Sequence, residues 1–258
     1  MSAGRPFRLD GQAAIVTGAS AGLGAIMARG LADAGCAVLV AARRAEPLAR
    51  LAEDIAGAGG RAVAHRADLR DPGHPEELVG AALAAFGRID GVVLNAATST
   101  IAPAEREDPD AFDDVLRVNV GAQAALAGAA ARAMIAAGRG GWMILMSSIL
   151  GRKAGTGPGV SAYVASKIAV EGLTRELARQ WAPHGIRVNA LAPGYFPTEM
   201  NASMTADPGR REALLARTPM GRAGAPADLT GPAVFLASPA AGFVTGHVLA
   251  VDGGMACW

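Results

Sequence analysis

The sequence predicts a single α/β domain: a doubly wound, parallel, seven-stranded sheet with helices on both faces. Three observations carry that prediction. Of the 258 residues 51% are hydrophobic, spread in many short Val, Ile, Leu and Ala runs of the kind that a sheet covered on both faces requires. Those runs alternate with segments of helical period, and no Pro/Gly/Ser linker or charge run divides the chain into two units. A glycine cluster, moreover, stands between the first strand and the first helix.

The elements follow in order. Ala13 to Thr17 is a short apolar strand; the glycine-rich segment Thr17 to Gly24 comes next, and helical period runs to Ala34, where Gly35 makes a good C-cap. Ala37 to Ala42 reads as a second strand, Glu46 to Ala58 as a helix stopped by Gly59-Gly60, and Arg61 to Arg66 as a third strand closing at Asp68. Two consecutive βαβ units imply parallel strands joined by right-handed crossovers. The alternation continues with a helix near Pro75 to Phe86, a strand near Gly91 to Asn95, a long helix near Pro109 to Ala137 and a strand from Trp142 to Ser147. A helix from about Ser161 to Ala182, a strand at Ile186 to Leu191, a less regular insertion from Gly194 to Met220, a helix near Ala227 to Leu236 and a last strand at Val248 to Val251 complete seven strands and six helices. No internal repeat is present.

Composition narrows the function. The formal net charge is +1 and the arginines are dispersed, so nothing marks a nucleic-acid or anionic-membrane surface, and the expected partner is a small molecule. Gly121 to Ala137 is apolar but interrupted by Gln123 and Arg132, which reads as too polar for a membrane span and better as a packing helix. Met1 to Asp10 lacks the apolar core and cleavage site of a secretory signal, and Cys36 and Cys257 form no pairing motif, so free thiols in a reducing cytoplasm are expected. His65, His74, His184 and His247 match no metal-site spacing, so no metal is expected.

Two local patterns carry chemistry. Gly18, Gly22 and Gly24 fall at the strand-to-helix turn, where small residues let a dinucleotide pyrophosphate approach the backbone and the helix N-terminus, as in a Rossmann fold. The second strand ends Ala42-Arg43-Arg44 with no acid to grip the adenosine ribose hydroxyls of NAD; Ala42 leaves room for a 2′-phosphate and Arg43 offers planar donors. NADP(H) is therefore the expected cofactor, with NAD(H) possible, although the two arginines could also be a solvated loop pair. Farther along, Tyr163 and Lys167 stand four apart on one helix face, so an ammonium can favour ionisation of a phenol that normally loses its proton near pH ~10. Alone, such a pair is also ordinary on an amphipathic helix.

Taken together, these motifs resemble those of the short-chain dehydrogenase/reductase family over essentially the whole chain. The family's TGxxxGxG motif is matched by Thr17-Gly18 through Gly22 and Gly24, with Ser20 and Leu23 inside it; its adenine-contacting Asp falls on Asp68, followed by Leu69; its strand-four motif is matched by Leu94-Asn95-Ala96-Ala97. Asn119, Ser148, Tyr163 and Lys167 match the catalytic set, Pro193-Gly194 the PG turn, with Phe196 beside it, Thr198 the residue that contacts the nicotinamide carboxamide, and Asp252-Gly253-Gly254 a closing motif. Leu94 and Ala97 depart from the family's Asn and Gly, Ala21 replaces a basic residue common in NADP-dependent members, and Gly155-Thr156-Gly157-Pro158-Gly159 lengthens a loop that lines the substrate pocket in relatives.

The resemblance implies carbonyl–alcohol interconversion: Ser148 donates to the substrate oxygen, Tyr163 passes the proton, Lys167 lowers the phenol pKa and holds the ribose, and Asn119 binds a water that refills the relay. Segments from Gly194 to Met200, at Arg217-Thr218-Pro219 and from Gly246 to Met255 are most similar to gluconate 5-dehydrogenase and related sugar or polyol oxidoreductases. A ketose-like acid, polyol or other small ketone is thus the expected substrate; a 3-oxoacyl thioester reductase and a non-catalytic NADP(H)-binding redox sensor are the alternatives. Residues 195–220, with Tyr195, Phe196, Met200 and Met204, are the expected lid. Relatives imply a homotetramer, or a homodimer, built on the fourth and fifth helices.

Overall fold

The computed structural model describes residues 6–155, 159–202 and 206–257. Seven parallel strands lie in the order β3-β2-β1-β4-β5-β6-β7, with β1 at Ala13–Thr17, β2 at Ala37–Ala42, β3 at Arg61–Arg66, β4 at Gly91–Leu94, β5 at Gly141–Met146, β6 at Ile186–Pro193 and β7 at Val248–Val251. The first three strands and the last have the bounds expected from the sequence. β6 runs two residues farther than expected, because β7 continues the ladder to Pro193, paired with Val251.

Successive side chains along each strand feed opposite cores. Val16, Val40, Val93 and Ile144 point into one cluster with Met27 and Leu31 of α1 (Gly22–Asp33), Leu48 and Ile55 of α2 (Ala45–Gly57), and Leu229 and Leu236 from the helix near the C-terminus. Their neighbours Ile15, Leu39, Val92 and Leu145 point into the other, with Leu78 of α3 (His74–Phe86) and side chains of the central helices. The strand order reverses between β1 and β4, so the loops leaving these strands diverge and open a crevice at their carboxyl ends.

Three expectations change. The helix foreseen over Pro109 to Ala137 is three pieces: α4 (Pro109–Leu116), a π-helical turn (Arg117–Ala122) and α5 (Gln123–Ala137). Nor is polarity what keeps this 29-residue rod from a bilayer, since it is long and apolar enough to cross one. It is a core helix because Leu126, Ala127, Ala130 and Met134 are fully buried on the sheet side, where alanines let α5 pack closely on α3. The insertion after β6, expected to be irregular, contains α7 (Pro208–Ala216), started by Pro208 and by Asp207, whose Oδ1 accepts from the Gly209 amide at 2.8 Å. Between them lies α6 (Ser161–Trp181), and α8 (Pro226–Ala237) precedes β7. Met204 and the loop residues Thr156, Gly157 and Pro158 lie outside the described residues.

Candidate active site

A cleft of about 610 Å³ opens at the reversal point between β1 and β4. Its floor is the glycine turn, and three residues explain why glycine stands there. Gly18 has φ +64°, and a Cβ on it would stand 2.8 Å from both Ala96 Cα and Asn95 Nδ2. A Cβ on Gly24 would run into the Gly18 carbonyl and stand 2.6 Å from Asn95 Nδ2. Asn95 holds this turn: its Nδ2 donates to Thr17 O at 2.9 Å and Gly18 O at 3.2 Å, while its own amide donates to Thr17 Oγ1 at 3.0 Å. The Leu94 departure costs no bond here, because Leu94 is fully buried in the sheet core.

At the end of the cleft beside β2, Ala42, Arg43, Arg44, Asp68, Leu69 and Arg70 form the wall. The two arginines differ in state. Arg44 donates through Nη2 to Glu199 Oε2 at 2.8 Å and to Ser20 Oγ at 3.2 Å. Among the described residues, Arg43 has no side-chain partner; its carbonyl accepts from Arg66 Nε at 3.2 Å, and its guanidinium is exposed at the rim. Asp68 Oδ1 accepts from the Arg70 amide at 3.0 Å, which pins the loop after β3. Arg70 then grips Asp114 of α4 with two bonds of 3.0 and 2.6 Å; together with Arg117 it holds the Asp114 carboxyl down to about 2.

The opposite end brings Ser148, Tyr163, Lys167 and Asn119 together. Ser148 lies near the Tyr163 phenol and favours its phenolate, but burial outweighs this and pushes the phenol above its ordinary range. Lys167 is 1% exposed; its Nζ donates to Met146 O at 2.7 Å and lies 5.2 Å from the Tyr163 ring centroid. In this arrangement the Lys167 ammonium is aimed at the Met146 carbonyl, and burial lowers its own pKa to about 8. Asn119, fully buried in the π turn, accepts from the Thr98 amide at 2.8 Å and donates to Thr98 O at 2.9 Å and Ser166 Oγ at 3.0 Å. Its carboxamide thereby clamps the loop after β4 onto α6. A π turn is the local irregularity that re-aims one side chain of a helix, and such turns are frequent at functional sites.

With this geometry in view, the comparisons with known proteins are decisive. The family profile described as enoyl-(acyl carrier protein) reductase matches residues 18–256. The chain is 42% identical to the 2-dehydro-3-deoxy-D-gluconate 5-dehydrogenase of Dickeya dadantii over 248 residues, 96% of each chain. It is 41% identical to the galactitol 2-dehydrogenase (L-tagatose-forming) of Cereibacter sphaeroides, over 98% of each. A crystal structure of gluconate 5-dehydrogenase from Burkholderia cenocepacia, in complex with NADP and tartrate, superposes with a TM-score of 0.92 at 39% identity, covering 98% of both chains. The chain belongs to the short-chain dehydrogenase/reductase family. Its relatives are dehydrogenases acting on CH–OH groups, and so is this enzyme.

Not every residue expected at this dehydrogenase's site faces the cleft. Thr198 does, 3.4 Å from where a Gly22 Cβ would stand, and Met200 overhangs the mouth at 54% exposure. Phe196 does not: it is buried at 4%, its ring against Gly224, and joins the sheet core rather than a lid. Pro193 and Gly194 also serve as wall rather than lining, since a Cβ on Gly194 would stand 2.7 Å from Asp252 Cα. Sequence reasoning missed Gln123 and Ser166. Gln123 Nε2 donates to Ala96 O at 2.6 Å from under the loop after β4, and Ser166 Oγ, which receives Asn119, donates to Tyr163 O at 2.7 Å. One signal was available: a lone Gln in an alanine-rich helix, fully buried here, needs a polar partner.

Proposed function

We propose that this dehydrogenase interconverts a secondary alcohol and a carbonyl on a sugar acid, polyol or ketose, with NADP(H) as its cofactor. The observation that carries the reaction is Tyr163 beside the buried Lys167, 5.2 Å from ring centroid to Nζ and flanked by Ser148, at one end of a cleft whose other end is a glycine cradle. The cofactor fits this chain on three counts: Gly18 and Gly24 leave the space that side chains would fill, the first turn of α1 carries no acid, and Arg43, without a side-chain partner among the described residues, stands at the rim beside Ala42. Bound nicotinamide supplies or accepts the hydride. Ser148 orients the substrate oxygen, Tyr163 gives or takes the proton at its Oη, and Lys167 supplies positive charge next to that proton. Asn119 and Gln123 keep the loop after β4 in place beneath the reacting groups. The substrate class rests on the relatives, which include a sugar-acid dehydrogenase and a polyol dehydrogenase.

The test is cofactor consumption with NADPH and NADH in parallel, across keto-gluconates, ketoses, simple ketones and 3-oxoacyl thioesters. Turnover is expected with NADPH on the first two groups. Arg43→Ala should raise the KM for NADPH roughly 10- to 100-fold, the loss of a charge-assisted contact of about 1.5–3 kcal/mol, and leave NADH unchanged. Equal effects on both cofactors would take the phosphate away from Arg43.

A pH profile tests the proton machinery. Lys167 is charged below about 8 and loses its ammonium as pH rises through that value, whereas Tyr163 stays protonated beyond it. In the carbonyl-reducing direction kcat/KM should therefore fall above pH 8 or so. A single alkaline limb at pH ~10 or higher would assign the titration to the phenol instead.

A further inference from the structure

Ser148 sits on a short segment whose two ends reach the same carboxylate. Ser147 Oγ donates to Glu171 Oε1 at 3.0 Å, and Arg152 Nε lies 3.4 Å from that same oxygen. Arg152 also donates through Nη2 to Val248 O on β7 at 2.9 Å, which ties the group to the edge of the sheet. Glu171 continues the row of Tyr163 and Lys167 on α6, each four residues after the last, and its side chain is only 13% exposed. A carboxylate this enclosed is costly unless it is paired, and both partners come from residues 147–152. Gly151 lets that segment close on it: a Cβ there would stand 3.2 Å from Ser147 Oγ and 3.3 Å from Glu171 Oε1. The Arg152 guanidinium is spent on these contacts, which leaves it unsuited to clamp a substrate carboxylate.

We propose that Glu171 is a positioning residue, which sets the placement of Ser148 against Tyr163 by holding Ser147 and Arg152. This rests on the reading that Ser148 and Tyr163 carry the reaction. Glu171 acts through Ser147 and Arg152, one behind Ser148 and the other ahead of it, on the helix that carries the proton donor. A shift of the donor pair by about 1 Å is enough to cost up to ~100-fold in rate.

The experiment compares Glu171→Leu, Glu171→Gln and Ser147→Ala in the full chain, with NADPH and a keto-gluconate. Glu171→Leu is expected to lower kcat about tenfold or more while the NADPH dissociation constant stays within about twofold. Glu171→Gln keeps an oxygen for Ser147 and should recover most of the rate. Combining Ser147→Ala with Glu171→Leu should cost no more than Glu171→Leu alone, because both break one contact. A second readout needs no turnover. The chain has 2 tyrosines, so the ultraviolet titration of Tyr163 is isolated by difference from Tyr163→Phe. In Glu171→Leu its midpoint should rise, as Ser148, which favours the phenolate, is displaced from it. Unchanged kcat and phenol midpoint alongside a lowered Tm would reduce Glu171 to a structural role. Should Glu171→Leu not fold, Ser147→Ala decides in the same way, since it removes one hydroxyl. A wild-type enzyme inert across the whole panel would overturn the proposed reaction, and the phenol titration would still judge the positioning.

Discussion

Tyr163→Phe should lower kcat by roughly three orders of magnitude, within the ~10²–10⁴-fold range of a positioned general acid. The substitution removes one oxygen from the reacting end of the cleft. The ring, which packs beside Lys167, is retained, and the helix keeps its Asn119–Ser166 clamp. Ser148 loses its phenol neighbour but keeps the Leu150 amide, which donates to its Oγ at 3.2 Å, so the fold should lose about 1 kcal/mol or less. NADPH affinity should stay within about twofold, because the glycine turn and Arg43 are untouched. Steady-state NADPH oxidation and a fluorescence titration on the same preparation check both halves. A variant that keeps more than a tenth of the wild-type kcat would remove Tyr163 from the proton step.

The second large effect is expected at the other end of the cleft. In Gly24→Ala the new Cβ meets the Gly18 carbonyl, which is backbone and cannot rotate away, and Asn95 Nδ2 at 2.6 Å, which is the group holding that carbonyl. Relief requires moving the turn that cradles the pyrophosphate, so NADPH binding should weaken by about 100-fold, a loss of ~2.7 kcal/mol. Overpacking of this kind also costs the fold about 1–3 kcal/mol. For a chain of this size that is a Tm drop of several degrees, at roughly 2–4 °C per kcal/mol. Gly80→Ala is the control: the position is exposed on α3 with nothing within 4 Å of its Cβ, and removing helix-interior glycine should stabilise by roughly 0.4–1 kcal/mol. Calorimetry with a NADPH titration separates the two glycines. Equal affinities in both variants would show that the Gly24 contact does not shape the cofactor turn.

How far the site can be read from sequence depends on whether a residue's role is local. The Tyr163–Lys167 spacing, the glycine turn after β1 and the absence of an acid at Ala42 concern neighbours on one element, and each is where it was expected. The Asn119 role is different. Its position on the chain is given, but the π turn aims it, and the Thr98 and Ser166 groups that occupy it come from the loop after β4 and from α6. Phe196 shows the same limit in reverse: a motif neighbour becomes core because Gly224, 28 residues later, leaves a hole of the right shape. The α7 helix escaped notice because none of its residues is buried, so no apolar stripe marks it.

What the amino-acid sequence by itself determined is the parallel seven-stranded order of elements, the bounds of the outer strands, the glycine turn after β1 and the pairing of Tyr163 with Lys167 on one helix face. These follow from periodicity and backbone permissiveness, which act over a few residues. Only the tertiary structure decided that Arg43 has no side-chain partner among the described residues while Arg44 is engaged, that the Lys167 ammonium is aimed at the Met146 carbonyl, and that Glu171 reaches both sides of Ser148. Charge state and placement depend on desolvation and on partners 19 to 155 positions away in the chain, and no local pattern records which of them will meet.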